Sequence, residues 1–363
     1  MMSSIFKSNL SISIFGESHQ ETMGIVIDGL AAGLTLDFDF VNAELKRRRP
    51  ILKSSTSRVE EDDYEIVSGY FNHHTTGTPL CILVKNNQFN SEDYQPNLLR
   101  SSSVDYVTFK KYNGFFDYRG SGHLSGRITV LYVIAGAICK QILKQKGIQI
   151  VSHIKQIKDI KDDTFTFKNL TLEMKKIEKE AFPVLNETRK QEMIDLIQKA
   201  KEANDSIGGI IETIIYPFPV GIGEPLFDSL ESHISRLVFS IPAIKGISFG
   251  LGFDYVSYMG SQVKDEWNLK DHQFQTNQNC NGGINGGISN GMPIVFDCVI
   301  KPTASIASIQ NTVDIHKMEN TTFELKGRHD ACIASRCGVI IESMAAIATL
   351  DLIIASKGKE WML

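Results

Sequence analysis

The chain has 363 residues, of which 42% are hydrophobic and 22% are charged, so it carries enough apolar material for a globular core. Its 38 lysines and arginines nearly balance 42 aspartates and glutamates, which argues against a nucleic-acid-binding protein with a basic excess or stripe. The six cysteines form no CxxC pair and have no zinc-finger spacing, which indicates free, mostly buried thiols in a reducing compartment.

In chain order, short segments rich in β-branched residues and bounded by turn residues predict strands. These segments are 25–30, 64–71, 78–86, 147–154, 208–216, 246–252 and 294–300. Apolar periodicity predicts helices over 41–49, 129–146, 188–203, 227–239 and 339–356. The helices at 129–146 and 339–356 are apolar nearly all round, so we expect both to be buried inside a layered body.

The predicted strands come in runs between well-separated helices, and this order favours an α+β fold over a doubly wound sheet. No Pro/Ser-rich linker divides the chain, so we expect one domain over 1–363, with the charged stretch at about 155–205 as a peripheral insertion. The first residues, MMSSIFKSNLSISIFGE, lack the apolar run of a signal peptide, which favours a cytoplasmic protein.

Residues 281–291 read NGGINGGISNG, with five glycines in eleven positions. The spacing does not fit the Rossmann fingerprint, and no Lys-Ser/Thr pair follows as in a P-loop. The stretch leads into the predicted strand at 294–300 and then into KPTAS (301–305), where a lysine and hydroxyl groups can supply a cation and donors to a phosphate. An ordinary turn is the alternative interpretation.

Other polar clusters also lie beside the ends of predicted elements. FGESHQ (15–20) contains a histidine suited to proton transfer, although a structural histidine is the alternative. RRRP (47–50) is either a solvated helix end or an anion site. DYRGSGHLSGR (117–127) and GRHDACIASR (327–336) each precede a predicted buried helix, where backbone N–H groups and arginines suit an anion. The spacing of histidines and carboxylates predicts no metal site.

Eight blocks of the sequence, in this order, resemble the motifs of the chorismate synthase family over about residues 10–356. They are FGESHQ, RRRP, TTGTPL, DYRGSGHLSGR, SIPAIKGISFG, NGGINGGISNGMPI, KPTASI and GRHDACIASR. The resemblance implies a β-α-β sandwich with buried helices between antiparallel sheets, and a homotetramer. It implies an anti 1,4-elimination that converts 5-enolpyruvylshikimate 3-phosphate to chorismate and phosphate in the shikimate pathway. It also implies a requirement for reduced FMN without net redox change, with NADPH or a separate flavin reductase as the source of electrons.

The resemblance also implies roles for individual residues. His19 would protonate the departing phosphate, Ser18 and Ser125 would relay protons, and Asp351, with a pKa raised by its apolar helix unless it is paired, would act as the base. The implied FMN neighbours are His123, Leu124, Ser125, Pro242, Ala243, Gly286, Lys301, Pro302, Thr303, Ala304, Ser305 and Arg328. The implied substrate or NADPH contacts are Arg48, Arg49, Lys53, Arg127 and Arg336.

One departure from the family pattern affects the expected activity. Ser103 stands where the family has a second catalytic histidine, and a serine carries no positive charge at neutral pH. Loss of one such donor typically costs about 2.7–4 kcal/mol of transition-state stabilisation. The alternatives to a working enzyme are therefore an FMN-binding homologue with weak or lost activity, and a flavin oxidoreductase.

Overall fold

The computed structural model describes residues 4–50, 52, 55, 61–87, 94–167, 169–270, 272–324 and 330–363, so the predicted site residues Lys53 and Arg328 lie outside the described part. The strands are β1 (Ile5–Phe6), β2 (Ser11–Phe15), β3 (Thr22–Asp28), β4 (Tyr64–Ser68), β5 (Tyr70–Phe71), β6 (His74–Thr75), β7 (Leu80–Lys85), β8 (Gln149–Ile157), β9 (Ile160–Lys161), β10 (Gly209–Tyr216), β11 (Ile244–Phe249), β12 (Trp267–Lys270), β13 (Gln273–Thr276), β14 (Ile284–Asn285), β15 (Ile288–Ser289), β16 (Ile294–Ile300), β17 (Ile309–Asp314) and β18 (Glu319–Glu324). The α-helices are α1 (Phe38–Arg48), α2 (Asp105–Lys111), α3 (Thr129–Gln145), α4 (Leu170–Ile177), α5 (Glu187–Glu202), α6 (Leu230–Val238) and α7 (Ala334–Lys357).

Two five-stranded antiparallel sheets enclose a layer of helices. The first sheet has the strand order β1-β2-β3-β7-β4, and the second has the order β11-β16-β10-β8-β9. Helices α3 and α7 lie side by side, with α3 also against β3 and α7 against β8 and β10. A Cβ on Gly136 would lie 2.1 Å from Ser343 Cβ, so only glycine fits where the two helices meet. The predicted α+β class and the predicted sandwich are confirmed.

Helices α3 and α7 form the centre of this sandwich. By length and composition, both α7 and the helical stretch Arg119–Gln145 could cross a membrane. However, 89% of the most apolar window of Arg119–Gln145 and all of that of α7 are buried inside the protein. Both are therefore core helices, as their all-round apolar character predicted.

Several elements have no counterpart in the sequence predictions. Strands β12 and β13 pair as a hairpin, and β17 and β18 pair as another. Every residue of β12 is exposed, so the hairpin has no regular apolar alternation to indicate it. The predicted strand at 64–71 is divided into β4 and β5 at Gly69, whose φ of +81° favours glycine.

A buried carboxylate ties the helical layer together. Glu342 of α7 is fully buried and accepts hydrogen bonds from Arg47 at 2.7 and 2.8 Å, from Lys140 at 2.6 Å and from the Ser152 backbone N–H at 2.9 Å. Burial alone would raise the pKa of Glu342, but the two cations outweigh burial and lower it to about 2. The carboxylate thus joins α1, α3, α7 and β8 at one point.

The stretch predicted as an insertion, 155–205, contains α4 and α5. Ser152 faces α7, since a Cβ on Gly338 would lie 3.4 Å from Ser152 Cβ, so its neighbour Val151 points to the opposite face of the sheet. On that face Val151 packs with Ile214 and with three side chains of α4, namely Leu170, Met174 and Ile177. Helix α4 therefore covers the outer face of the second sheet.

His153 fastens the same stretch to the sheet. Its imidazole is fully buried, with Nδ1 3.0 Å from Asp162 Oδ2 and Nε2 3.1 Å from Glu212 Oε2. Asp162 also accepts hydrogen bonds from the backbone N–H groups of Leu185 and Asn186, at 2.7 and 3.0 Å. Burial alone would lower the pKa of His153, but the two carboxylates outweigh burial and raise it.

All six cysteines are free thiols, and all but Cys81 are buried, as their spacing predicted. Burial raises the pKa of Cys332 to about 11 and that of Cys337 to about 12.

We expect His153→Gln to lower the free energy of unfolding by roughly 3–5 kcal/mol at pH 6, since it leaves two buried carboxylates without their shared cation. The folded pKa of His153 lies above its unfolded value of 6.5, so this stabilisation is complete below pH 6.5 and is lost as the pH rises through the folded pKa. Urea unfolding at pH 6 and pH 9 measures the difference. The exposed His73→Gln is the control, and an equal loss at both pH values would contradict the prediction.

Candidate functional site

The turn that carries His19 follows β2 and packs against the 3-10 helical segment Arg119–Leu124. Ser18 and His19 are both buried. The Ser18 backbone N–H donates to Gly122 O at 3.2 Å, and Ser18 Oγ donates to Gly120 O at 3.3 Å. The His19 ring meets the ring of Tyr94 edge-on, with centroids 5.2 Å apart. The predicted proton-transfer pair is thus held in a fixed turn.

His123, in the 3-10 helical segment, also contacts the segment that carries His19. Its Nδ1 lies 2.7 Å from Gly16 O, and because a carbonyl only accepts, that nitrogen carries a proton. Its Nε2 lies 2.8 Å from Ser4 Oγ. Ser125, close by, caps the next turn by accepting from the Arg127 backbone N–H at 3.3 Å. Ser125 and the half-exposed Leu124 directly follow His123, which contacts the segment of the His19 turn at Gly16 O.

Two of the predicted anion-binding arginines share one buried carboxylate. Arg48 Nη2 donates to both oxygens of Asp62 at 3.0 Å, and Arg127 Nη1 donates to Asp62 Oδ1. Arg127 Nε also donates to Asn86 Oδ1 at 3.1 Å. Burial alone would raise the pKa of Asp62, but Arg48 and Arg127 outweigh burial and lower it. Both guanidinium groups are thus held by the same buried carboxylate.

The other two described arginines contact different partners. Arg49 Nη2 donates to the backbone carbonyl of Glu61. Arg336, at the start of α7, forms an ion pair with Asp330 at 3.2 Å. Thr303 Oγ1 donates to Asp330 O at 3.0 Å. The loop of Lys301 to Ser305 is therefore fixed to the N-terminal end of α7.

Lys301 connects that loop to two further segments. Its backbone N–H donates to Ala243 O at 3.0 Å, which places the Pro242–Ala243 turn beside the loop. Its ammonium group donates to Ser102 O at 2.9 Å, one residue from Ser103. Pro302, Ala304 and Ser305 lie in the same loop, with the first exposed and the others partly buried.

Ser103 lies beside an ion pair that the sequence did not indicate. Its Oγ donates to Asp105 Oδ1 at 3.3 Å. Arg100 donates to both oxygens of Asp105 at 2.9 and 2.6 Å, and to Ser121 Oγ at 3.1 Å. The segments 100–105, 119–125, 240–243 and 301–305 thus form a connected rim of loops.

A cavity of about 520 Å³ opens beside His123 and Leu124 and extends to Ser240, two residues before Pro242. Its walls are mainly aliphatic and aromatic, and Lys111 and Arg236 supply two cations. This volume lies within the range of roughly 300–1,000 Å³ typical of small-molecule sites. Apolar walls suit a flat ring and cations suit a phosphate, so the residue types present fit a phosphorylated flavin.

Gly286 does not join this rim through any contact of the described residues. It lies at the tip of the β14–β15 hairpin, next to Gly287, whose carbonyl accepts from Leu230 N at 2.9 Å. Helix α6 begins at Leu230, beside Gly287, and ends before Pro242. Its nine residues therefore separate the glycine-rich segment from the Pro242–Ala243 turn by about 14 Å. The glycines beside Gly286 serve backbone packing: a Cβ on Gly283 would lie 2.5 Å from Pro293 O.

The Asp351 carboxylate is paired, so the condition under which a raised pKa was expected is not met. Asp351 accepts from Ser8 Oγ at 2.7 Å and from Leu10 N at 2.6 Å, and it lies 2.9 Å from His233 Nε2. Burial would raise its pKa, but His233 and these hydrogen bonds outweigh burial and lower it. It also lies about 22 Å along α7 from Arg336. Asp351 therefore holds the loop before β2, and its role as the base stays a prediction.

Sequence reasoning did not single out Asp62, because its partners Arg48 and Arg127 lie 14 and 65 residues away in the chain. Asp62 stands in the acidic run EEDD (60–63), which gives no sign that one member is buried between arginines. Within the described ranges, no group of three His, Cys, Asp or Glu side chains is arranged to hold a metal ion.

Comparison with known proteins gives a consistent result. A family model described as "Chorismate synthase" matches residues 10–354. The chain is 39% identical over 354 residues to a chorismate synthase of Dehalococcoides mccartyi, which covers 97% of this chain and 96% of the relative. It is 41% identical over 349 residues to that of Methanobrevibacter smithii, covering 95% of each chain. A solved structure titled "Crystal Structure of Chorismate Synthase" superposes with a TM-score of 0.75 at 27% identity, covering 96% of this chain and 93% of that one.

We expect Gly120→Ala to slow chorismate formation by roughly 10- to 100-fold, since misplacement by about 1 Å is enough for such a loss. The new Cβ would lie 2.4 Å from Ser18 Oγ and 2.8 Å from His19 Nε2, at a φ of +57°. The control is Gly126→Ala, where a Cβ meets nothing within 4 Å. Equal rates for the two variants, each corrected for folded protein by thermal unfolding, would show that the turn tolerates displacement.

Proposed function

The chain belongs to the chorismate synthase family and is a lyase of the shikimate pathway, and on this premise we propose how its residues act. The proposed reaction is the anti 1,4-elimination of phosphate from 5-enolpyruvylshikimate 3-phosphate to give chorismate. It requires reduced FMN without net redox change.

The observation that carries this proposal is the connection between the arginine pair and the histidine turn. Arg48 and Arg127 both donate to the buried carboxylate of Asp62, and Arg127 also donates to Asn86 Oδ1. The Asn86 amide nitrogen then donates to Glu17 O and Gln20 O at 3.1 and 2.7 Å. The substrate carries two carboxylates and a phosphate, for which guanidinium groups are well suited. An anion held there lies near a side chain that can transfer a proton.

His19 is the proposed general acid for the leaving phosphate. Proton donation to the phosphate oxygen as the C–O bond breaks removes the cost of expelling a more highly charged anion. Ser18, bonded to the backbone at Gly120, holds the turn and is placed to relay a proton. Ser125 is the second proposed relay residue. Arg49 and Arg336 are the further proposed contacts for the substrate's anionic groups.

His123 to Ser125, Pro242–Ala243 and Lys301 to Ser305 are the proposed cofactor contacts, with Gly286 and Arg328 as further candidates. When bound, reduced FMN would lend electron density during loss of phosphate and regain it as the ring C–H bond breaks, with Asp351 as the proposed acceptor of that proton. The apolar walls beside Leu124 would exclude water from the reacting atoms. Lys111 and Arg236, which line the same cavity, would offset the negative charge of a bound phosphate.

We also propose a cytoplasmic homotetramer. Exposed apolar side chains support association: Phe227, Phe253 and Val256 are 90%, 83% and 91% exposed. Such exposure is typical of surfaces that other chains cover. NADPH, bound by Arg48, Arg49 and Lys53, is the proposed electron source, and a separate flavin reductase is the alternative.

A second candidate function is an FMN-binding homologue with weak or lost elimination activity. The observation that favours it is the uncharged Ser103, which donates to Asp105 where a histidine could carry a positive charge. Both candidates bind FMN, so turnover of the phosphorylated substrate separates them. A flavin oxidoreductase would instead consume NADPH continuously with a dye as acceptor.

Under anaerobic conditions with chemically reduced FMN, we expect the protein to form chorismate, followed by its absorbance. His19→Asn removes the proton donor and is expected to lower kcat on the order of 10²- to 10⁴-fold. The exposed His74→Asn serves as the control. No chorismate from the native protein would refute the proposed function, and an unchanged rate for His19→Asn would refute the role of His19.

Ser103→His is expected to raise kcat by roughly tenfold or more, because a cation restored beside Asp105 can stabilise negative charge in the transition state. Ser101→His, at an exposed position two residues away, is the matched control. A native rate that Ser103→His leaves unchanged would show that Ser103 imposes no cost on the reaction.

A further inference from the structure

The Arg100 guanidinium group joins three segments of the candidate site. Its Nε and Nη2 donate to the Asp105 carboxylate at 2.9 and 2.6 Å, which ties the loop of Ser103 to the start of α2. Its Nη2 also donates to Ser121 Oγ at 3.1 Å, in the 3-10 helical segment. Its Cζ lies 5.3 Å from the centre of the Tyr94 ring. The Arg100 side chain is only 14% exposed, so these contacts are made largely out of water.

Two of these contacts lead directly to the His19 ring. The Tyr94 ring meets the imidazole edge-on, with the ring centroids 5.2 Å apart and the planes at 88°. On Gly120, the residue before Ser121, a Cβ would lie 2.8 Å from His19 Nε2, so the backbone there lies against the imidazole. Arg100 therefore contacts one neighbour of the His19 ring and holds the residue that follows another.

The backbone beside the His19 ring needs such support. Gly120 and Ser121 have φ values of +57° and +69°, in the left-handed region. Serine is unfavourable there, and uncommon backbone angles persist where surrounding contacts fix them. The hydrogen bond from Arg100 to Ser121 Oγ is one such contact. Its loss would free the turn to move, and with the turn the backbone that lies against the imidazole.

A purely local role for Arg100 does not account for these contacts. Its ion pair with Asp105 spans five residues, and the Arg100 backbone N–H also donates to this carboxylate at 2.8 Å. Those bonds alone would fix the start of α2. The contacts with Tyr94 and Ser121 lie outside that loop. A planar guanidinium group can donate along its edge to two partners while it contacts an aromatic ring, whereas a lysine ammonium has no such fork.

We propose that Arg100 is a positioning residue for the elimination: through Tyr94 and Ser121 it holds the His19 ring in place relative to the loop of Ser103. This inference rests on the proposed function, in which His19 is the general acid. Arg100 itself transfers no proton, because its guanidinium group stays protonated in proteins. It would act only on where the proton donor lies.

Arg100→Lys keeps the positive charge and removes the fork that reaches Asp105 and Ser121 together. We expect kcat per folded protein to fall on the order of 10- to 100-fold, as for a misplacement of about 1 Å. KM is expected to change much less, since the misplaced group acts in the transition state. Arg189→Lys, in an exposed ion pair on α5, is the control and is expected to leave kcat within about twofold of native. A native-like kcat for Arg100→Lys, or a change in KM alone, would overturn the inference.

Asp105→Asn tests the other side of the same ion pair and decides the matter if Arg100→Lys does not fold. It removes the charge that orients the guanidinium group, so we expect kcat to fall by a similar factor. Because both changes break one contact, the double variant is expected to lose no more than the worse single variant. Losses that multiply, or a native-like kcat for Asp105→Asn, would overturn the inference.

The NMR signals of the His19 ring test the positioning without turnover. In protein made with isotopically labelled histidine, these signals are identified by their absence from His19→Asn. They are expected to shift in Arg100→Lys, since the current of the Tyr94 ring acts on nuclei beside it, and to stay in place in Arg189→Lys. Unchanged His19 signals in Arg100→Lys would overturn the inference. A native protein that forms no chorismate would instead refute the proposed function and leave these signals to decide this one.

Discussion

Three deeply buried carboxylates in the described part of the chain lie between cations, and the places where those partners meet organise the molecule. Glu342 lies between Arg47 and Lys140 and joins the helices of the central layer. Glu212 lies between His153 and Lys155 and joins β10 to β8 within the second sheet. Asp62 lies between Arg48 and Arg127 at the candidate site. Because an unpaired buried charge costs several kcal/mol, these contacts restrict how the surrounding segments can be arranged.

The candidate site is built from loops that hold one another by hydrogen bonds between side chains and backbone. His123 reaches Gly16 O, Lys301 reaches Ser102 O, and Thr303 reaches Asp330 O. The central helices supply a rigid base, and segments distant in sequence meet above it. The helices set the overall architecture and the loops carry the candidate site, so functional residues can lie in irregular backbone.

The sequence predicted the core well because the core has a strong local signal. Helices α3 and α7 were expected as buried helices from their all-round apolar character, and the structure encloses both. Asp351 shows the limit of such reasoning: the sequence could not tell whether this carboxylate is paired, and the partners that lower its pKa, Ser8, Leu10 and His233, come from elsewhere in the chain. The exposed β12–β13 hairpin and the contacts of Asp62 were unpredictable for the same reason. Pairing partners distant in sequence leave no periodic pattern.

The buried thiols have a consequence for how the protein meets oxidants. Only the thiolate form of cysteine is a good nucleophile, and burial keeps Cys332 and Cys337 protonated, with pKa values of about 11 and 12. Alkylating reagents and peroxide would therefore reach these sulfurs only when the sandwich opens. Chemical modification of these two cysteines would therefore show that the central layer has been exposed to water.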